Sequence, residues 1–172
     1  MQERLNALET ALNNERRERQ FYLDHAARTT NQLSKALFTQ IAAEEEEHYE
    51  RLRQIHERWA RDEKWPETIP LTVKNTVVGD VLKEALAQVA AQPPADVSDT
   101  EAIRIAIEFE AAGASFYARL RDQVGDPREK AFFNLLADIE HQHFVSLQDT
   151  AEFLADPAAW YRKHESSTLD GA

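Results

Sequence analysis

Apolar residues at the start of the chain recur in steps of three and four. Leu5, Leu8, Leu12 and Tyr22 thread a strongly charged stretch and predict a first helix from about residue 2 to Arg28, where Thr29 to Gln32 interrupt the pattern. A second stripe, Leu37, Ile41, His48, Leu52 and Ile55, meets no Gly or Pro before Trp65-Pro66, which predicts a long helix and an antiparallel hairpin over about 2–62. The stretch of about 63–98 changes character: Pro66 and Pro70, the β-branched run Leu71 to Val78, then Asp80 as an N-cap for a short helix carrying Val81, Leu82, Leu86 and Val89. It reads as a crossover, ended by Pro93-Pro94. Ser98 with Glu101 makes a capping-box pattern for a third long helix with Ile103, Ile107 and Tyr117 inside. Gly125-Asp126-Pro127 supplies a turn, and Phe132, Phe133, Leu136, Leu147 and Phe153 mark a fourth helix, closing a second hairpin over about 99–155. Asp156-Pro157 opens a short terminal helix over about 157–164, and 165–172 reads as a frayed tail.

The chain repeats itself. A shift of 95 positions lays Ala11 on Ala106, Glu15 on Glu110, Phe21-Tyr22 on Phe116-Tyr117, Phe38 on Phe133, Ala42 on Ala137, Glu45 on Glu140, His48 on His143 and Leu52 on Leu147. One helical hairpin is therefore used twice, which predicts an all-α four-helix bundle with one long connection, the connectivity of ferritin-like folds, from about 1 to 164.

Position within the repeat matters more than identity. Glu15 and Glu45 are 30 residues apart about Thr30, and Glu110 and Glu140 are 30 apart about Gly125, so each pair is level across its own hairpin. At roughly 1.5 Å per residue both pairs stand about 22 Å from their turns, near the middle of the bundle. Glu15 and Glu110 lie on the apolar stripes that lead to Tyr22 and Tyr117, and Glu45, His48, Glu140 and His143 continue the stripes of their own helices. All six side chains point to the core.

Four carboxylates and two imidazoles in a core demand a counter-charge, because burial of each carboxylate costs several kcal/mol and like charges repel. Two divalent cations carry +4 against four glutamates. Imidazole beside carboxylate oxygen favours iron, then manganese, over calcium, and zinc also accepts such donors. One Glu-x-x-His in a chain this rich in glutamate means little, but two copies at one register do not follow from composition. There is no cysteine, which removes disulfides, thiolate metal sites and cysteine nucleophiles. A formal charge of -11 without a basic stripe argues against nucleic acid as a partner. No signal-like apolar segment and no membrane-length apolar run occur, so the expectation is a cytoplasmic protein with no membrane partner.

Other residues receive plainer readings. Glu44, Glu46 and Glu47 read as a solvated face, so Glu44→Ala is expected to be nearly silent. His25, His56, His141 and His164 lack a partner under the repeat and read as surface histidines. Phe21 and Phe116 read as core. Tyr22 and Tyr117, two turns beyond Glu15 and Glu110, are candidate catalytic-site residues placed to donate hydrogen bonds to ligating carboxylates, with ordinary core packing as the alternative. Trp59, Trp65 and Trp160 offer spare apolar surface for a homo-oligomer, most simply a dimer.

Glu15 with Phe21-Tyr22 after it, Glu45-x-x-His48, and both again as Glu110, Phe116-Tyr117 and Glu140-x-x-His143, resemble the rubrerythrin branch of the ferritin-like diiron proteins over about residues 5 to 155. The resemblance implies a non-haem diiron centre with Glu45 and Glu140 as bridges, Glu15 and Glu110 as terminal ligands, and His48 and His143 capping one iron each. It further implies an oxidoreductase or ferroxidase that reacts with O2 or hydrogen peroxide. Rubrerythrins proper add a cysteine-ligated rubredoxin domain and a carboxylate one turn past the third-helix glutamate; this chain has no cysteine, and that position is Gly113. Electrons would then come from a separate donor. Bacterioferritins show a similar ligand set, so the alternative is iron storage or metal buffering.

Overall fold

The turns show how the sequence punctuates its helices. Asn31 caps the second helix by accepting the Ser34 backbone N–H on Oδ1 at 3.0 Å. Asp126 does the same for the fifth, accepting from Arg128 N at 2.8 Å with Pro127 in the first helical position. Asp156 caps the sixth through Ala159 N at 2.9 Å. In this computed structural model, which describes residues 2–62, 76–88 and 97–169, the helices are α1 (Gln2–Arg28), α2 (Gln32–Asp62), α3 (Val78–Gln88), α4 (Val97–Gln123), α5 (Pro127–Ala155) and α6 (Pro157–Leu169). No strand occurs among the described residues, and the all-α, ferritin-like bundle expected from the repeat is the observed architecture.

Two apolar clusters divide the long helices. One gathers Leu8 and Ala11 of α1, Leu52, Ile55 and Trp59 of α2, Tyr117 and Leu120 of α4, and Phe132, Phe133 and Leu136 of α5. The other gathers Tyr22 and Ala26, Leu37, Phe38 and Ile41, Ala102, Ile103 and Ala106, and Leu147. The first cluster thus takes the start of α1 and the end of α4, and the second the reverse. The hairpin turns therefore lie at opposite ends of the bundle. A chain leaving α2 at one end must enter α4 at the other, which is why the connection is long. α3 joins the second cluster through Val78, and Leu82 packs with Leu33 and Phe153 beneath Trp160.

Several local expectations change. Asp80 is not a cap but sits in the first turn of α3, because Val77 O already accepts from Val81 N at 3.1 Å and Thr76 Oγ1 from Val78 N at 3.1 Å. Ser98 lies inside α4, and Glu101 turns to Arg104, at 3.0 and 2.7 Å, rather than back to a cap. α6 runs to Leu169 rather than stopping near 164, since no Gly or Pro interrupts it before Gly171. Trp59 is only 8% exposed and belongs to the core, while the exposed large apolar side chains include Leu23, Val77, Val145 and Tyr161. Phe21 and Phe116 are half-buried and pack against the clusters from outside. Trp65, Pro66, Pro70, Leu71 to Lys74, Val89, Pro93-Pro94 and 170–172 lie outside the described residues.

Candidate metal centre

Between the two apolar clusters the four long helices each contribute charge to one pocket. Glu15 comes from α1, Glu45 and His48 from α2, Glu110 from α4, and Glu140 and His143 from α5; none is more than 1% exposed. The i, i+3 spacing puts each Glu-x-x-His pair on one helix face, and apolar residues of the same stripe carry that face inward. Their donor atoms form two groups, Glu15, Glu45, His48 and Glu140, and Glu45, Glu110, Glu140 and His143, each within 4.8 Å. Glu45 and Glu140 belong to both groups.

Each imidazole turns Nδ1 toward the carboxylates. His48 Nδ1 stands 3.2 Å from Glu15 Oε2, 3.3 Å from Glu45 Oε2 and 3.4 Å from Glu140 Oε1. His143 Nδ1 stands 3.4 Å from both Glu45 Oε1 and Glu110 Oε2. The rings lie nearly parallel, centroids 6.1 Å apart. The tyrosines cross between hairpins: the Tyr22 hydroxyl donates to Glu110 Oε1, and the Tyr117 hydroxyl donates to Glu15 Oε1. Burial and then the charge of the partner glutamate push both phenols well above their usual range, so both remain neutral donors.

Without a cation the cluster compensates itself with protons. Burial, then the Glu45 charge, pushes Glu15 up to about 8. Burial and the charges of Glu45 and Glu110 raise Glu140 well above the carboxylate range. Burial opposes ionisation of Glu45 as well, but the His48 charge and contacts from both imidazoles hold it below that range. Burial likewise opposes charging the imidazoles, and the charges of Glu45 on His48 and of Glu110 on His143 outweigh it. Protons do not satisfy the geometry. Glu45 Oε1 and Oε2, Glu110 Oε2, Glu140 Oε1 and Oε2, and His143 Nδ1 are buried without a hydrogen-bond partner. Convergent unpaired acceptors in a dry core are what a multivalent cation satisfies, and the mixed oxygen and nitrogen donors suit iron. The cluster is compatible with a metal site.

Two residues outside the six belong to this environment. Glu44 is not on a solvated face: its side chain is 13% exposed, and its Oε2 accepts from His143 Nε2 at 2.8 Å. Its Oε1 accepts from Gln40 Nε2 at 2.8 Å and from Val77 N at 3.0 Å. Burial resists its charge, yet the His143 hydrogen bond and charge hold Glu44 down to about 2. The repeat hides this role, since Glu44 falls on Ile139. Glu18, one turn beyond Glu15, is 5% exposed and is pushed up to about 9 by burial and then the charges of Glu45, Glu15 and Glu110. Its signal was available in the i, i+3 step from Glu15. The structure leaves the other described histidines outside: His25 packs against Phe21 with tilted rings, His56 faces Glu9 at 3.4 Å, and His141 stacks on Phe144. The His164 side chain lies outside the described residues.

Among the described residues no helix is long and apolar enough to cross a membrane. The family model described as Rubrerythrin matches residues 6–151. No curated protein and no solved structure matches the chain.

Proposed function

The chain belongs to the rubrerythrin family, and from that membership and the paired pocket we propose that it holds two iron ions and acts as an oxidoreductase on O2 or hydrogen peroxide. The observation that carries this reading is the sharing of Glu45 and Glu140 between two donor groups. Glu45 and Glu140 would hold both ions, with Glu15 and His48 holding one and Glu110 and His143 the other. Ferrous iron held there would supply the two electrons needed to turn one peroxide and two protons into two waters.

The chain's own groups prepare that chemistry. Tyr22 and Tyr117 orient the terminal carboxylates by hydrogen bonds from the opposite hairpin. Glu44 holds the His143 ring with Nδ1 toward the cluster. The apolar clusters on either side keep bulk water out of the pocket. In this reading the electrons come from an external donor. The reading includes a cytoplasmic setting and a small homo-oligomer, for which exposed apolar residues such as Leu23 and Val145 offer surface.

The test is anaerobic loading with Fe2+, elemental analysis, and stopped-flow addition of peroxide or O2. About two irons per chain and a near-ultraviolet band rising within seconds support the reading; oxidation no faster than that of free iron ends it. Iron storage, favoured by the charge of -11, requires a cage. Sedimentation as a small oligomer with about two metals per chain excludes storage, and manganese or zinc in place of iron in protein from iron-replete cells would reassign the metal.

A further inference from the structure

Glu18 takes no part in the six-residue pocket, yet it is buried beside it. It stands on the α1 stripe between Glu15 and Tyr22, and Tyr22 reaches across to Glu110. Its electrostatic neighbours are Glu45, Glu15 and Glu110, all anions when ionised. Arg17 Nη2 is 3.8 Å from Glu18 Oε1, beyond hydrogen-bond range, on a side chain that is 65% exposed. A long ion pair from an exposed side chain is weak compensation for a buried carboxylate. Across the repeat the position is Gly113, where a Cβ would lie 2.9 Å from Glu140 Oε2. α4 thus closes on the pocket with bare backbone, while α1 presents a carboxylate at the same level.

We propose that Glu18 is a fifth carboxylate and seventh ligand residue of the centre, supplying an added oxygen to the metal held by Glu110 and His143. The assignment to that half follows from its company. Tyr22, the next residue inward along the same stripe of α1, donates to Glu110, which belongs to the donor group of His143 alone. Both oxygens of Glu45 and Oε2 of Glu110 are buried without a hydrogen-bond partner, so the His143 group has acceptors left for a cation to satisfy. The two halves then differ in donor number, with the richer one on the α4–α5 side. This inference rests on the dinuclear reading above.

Metal titration separates the two claims. The full-length protein, stripped with chelator, is titrated anaerobically with Co2+ against a competing chelator while its visible d–d bands are recorded. The wild type should take up two ions. Glu18→Gln should weaken one of them at least tenfold and alter its d–d intensity, leaving the other unchanged, while the exposed control Glu46→Gln changes neither. Glu18→Asp, which keeps a carboxylate, should retain part of the lost affinity, and circular dichroism of the metal-free variants checks that they fold. Unchanged affinities and spectra in Glu18→Gln overturn the proposal, as does equal weakening of both ions, which marks a diffuse charge effect rather than a ligand. A wild type that takes up no second ion overturns the dinuclear reading, and this proposal with it.

Discussion

The half of the pocket built on Glu15 and His48 and the half built on Glu110 and His143 use the same residues at the same register, but different groups stand behind them. His143 donates through Nε2 to Glu44 at 2.8 Å, and Glu44 is itself tied to Val77 at the start of α3. The position equivalent to Glu44 is Ile139, 1% exposed and part of an apolar cluster. Glu18 adds a second inequality, because its own counterpart is Gly113. Duplication of a hairpin supplies the machinery common to both halves. Single substitutions behind it, cheap for the fold, make two chemically distinct positions.

The most severe way to break the comparison is to remove what the halves share. Glu45→Ala or Glu140→Ala should weaken the second metal by roughly 100-fold or more, whereas Glu15→Ala should weaken chiefly the ion on the His48 side. Chelator competition measures both, and equal behaviour of Glu45→Ala and Glu15→Ala would dissolve the distinction between shared and terminal ligands. Next in size is Glu44→Ala. Loss of a carboxylate behind a ligating imidazole should cost the His143-side ion about 10- to 100-fold and spare the other. Ile139→Val should leave both ions as they are.

Acidity sharpens the comparison between the metal-free and loaded states. Glu15 near 8 and the raised Glu140, His48 and His143 all bind protons more tightly folded than unfolded, so their contribution is complete at low pH and is lost as pH rises through the folded values. The metal-free melting temperature should therefore fall by several degrees between about pH 5 and pH 9, a window set by the raised Glu15. Metal replaces those protons, so the loaded protein should melt almost independently of pH over that window. Metal uptake should also release protons, seen as a buffer-dependent heat in calorimetry. The smallest expected effects come from the crossed tyrosines. Tyr22→Phe and Tyr117→Phe should each destabilise the loaded protein by about 0.5–1.5 kcal/mol, and by similar amounts, because the metal already takes up the charge of the accepting carboxylates. A large disparity in their thermal unfolding would show that the pseudo-twofold relation does not reach the hydroxyls.

How much of this is written in the residues is clearest at the pocket. A helical period of 3.6 and a repeat at 95 positions place Glu15, Glu45, His48, Glu110, Glu140 and His143 on inward stripes at one level, because the direction of a side chain around a helix depends on its spacing from its own neighbours. The same local rules place the turns at Thr29 to Gln32, Gly125-Asp126-Pro127 and Asp156-Pro157, while the caps they suggest at Asp80 and Ser98 fall inside their helices. Local rules fail where a flank is covered by a different helix. Glu44 sits in a run of four glutamates that looks solvated, and only α5 and the start of α3 bury it. Its partner His143 is 99 residues away. Trp59 looks like spare surface until α4 and α5 close over it. Sequence by itself determined the hairpin, its duplication and the six charged groups of the core, since these follow from periodicity along one helix. Tertiary structure alone decided which polar residues on the helix edges lose their water, and with that the inequality of the two halves, because desolvation is set by neighbours in space rather than in sequence.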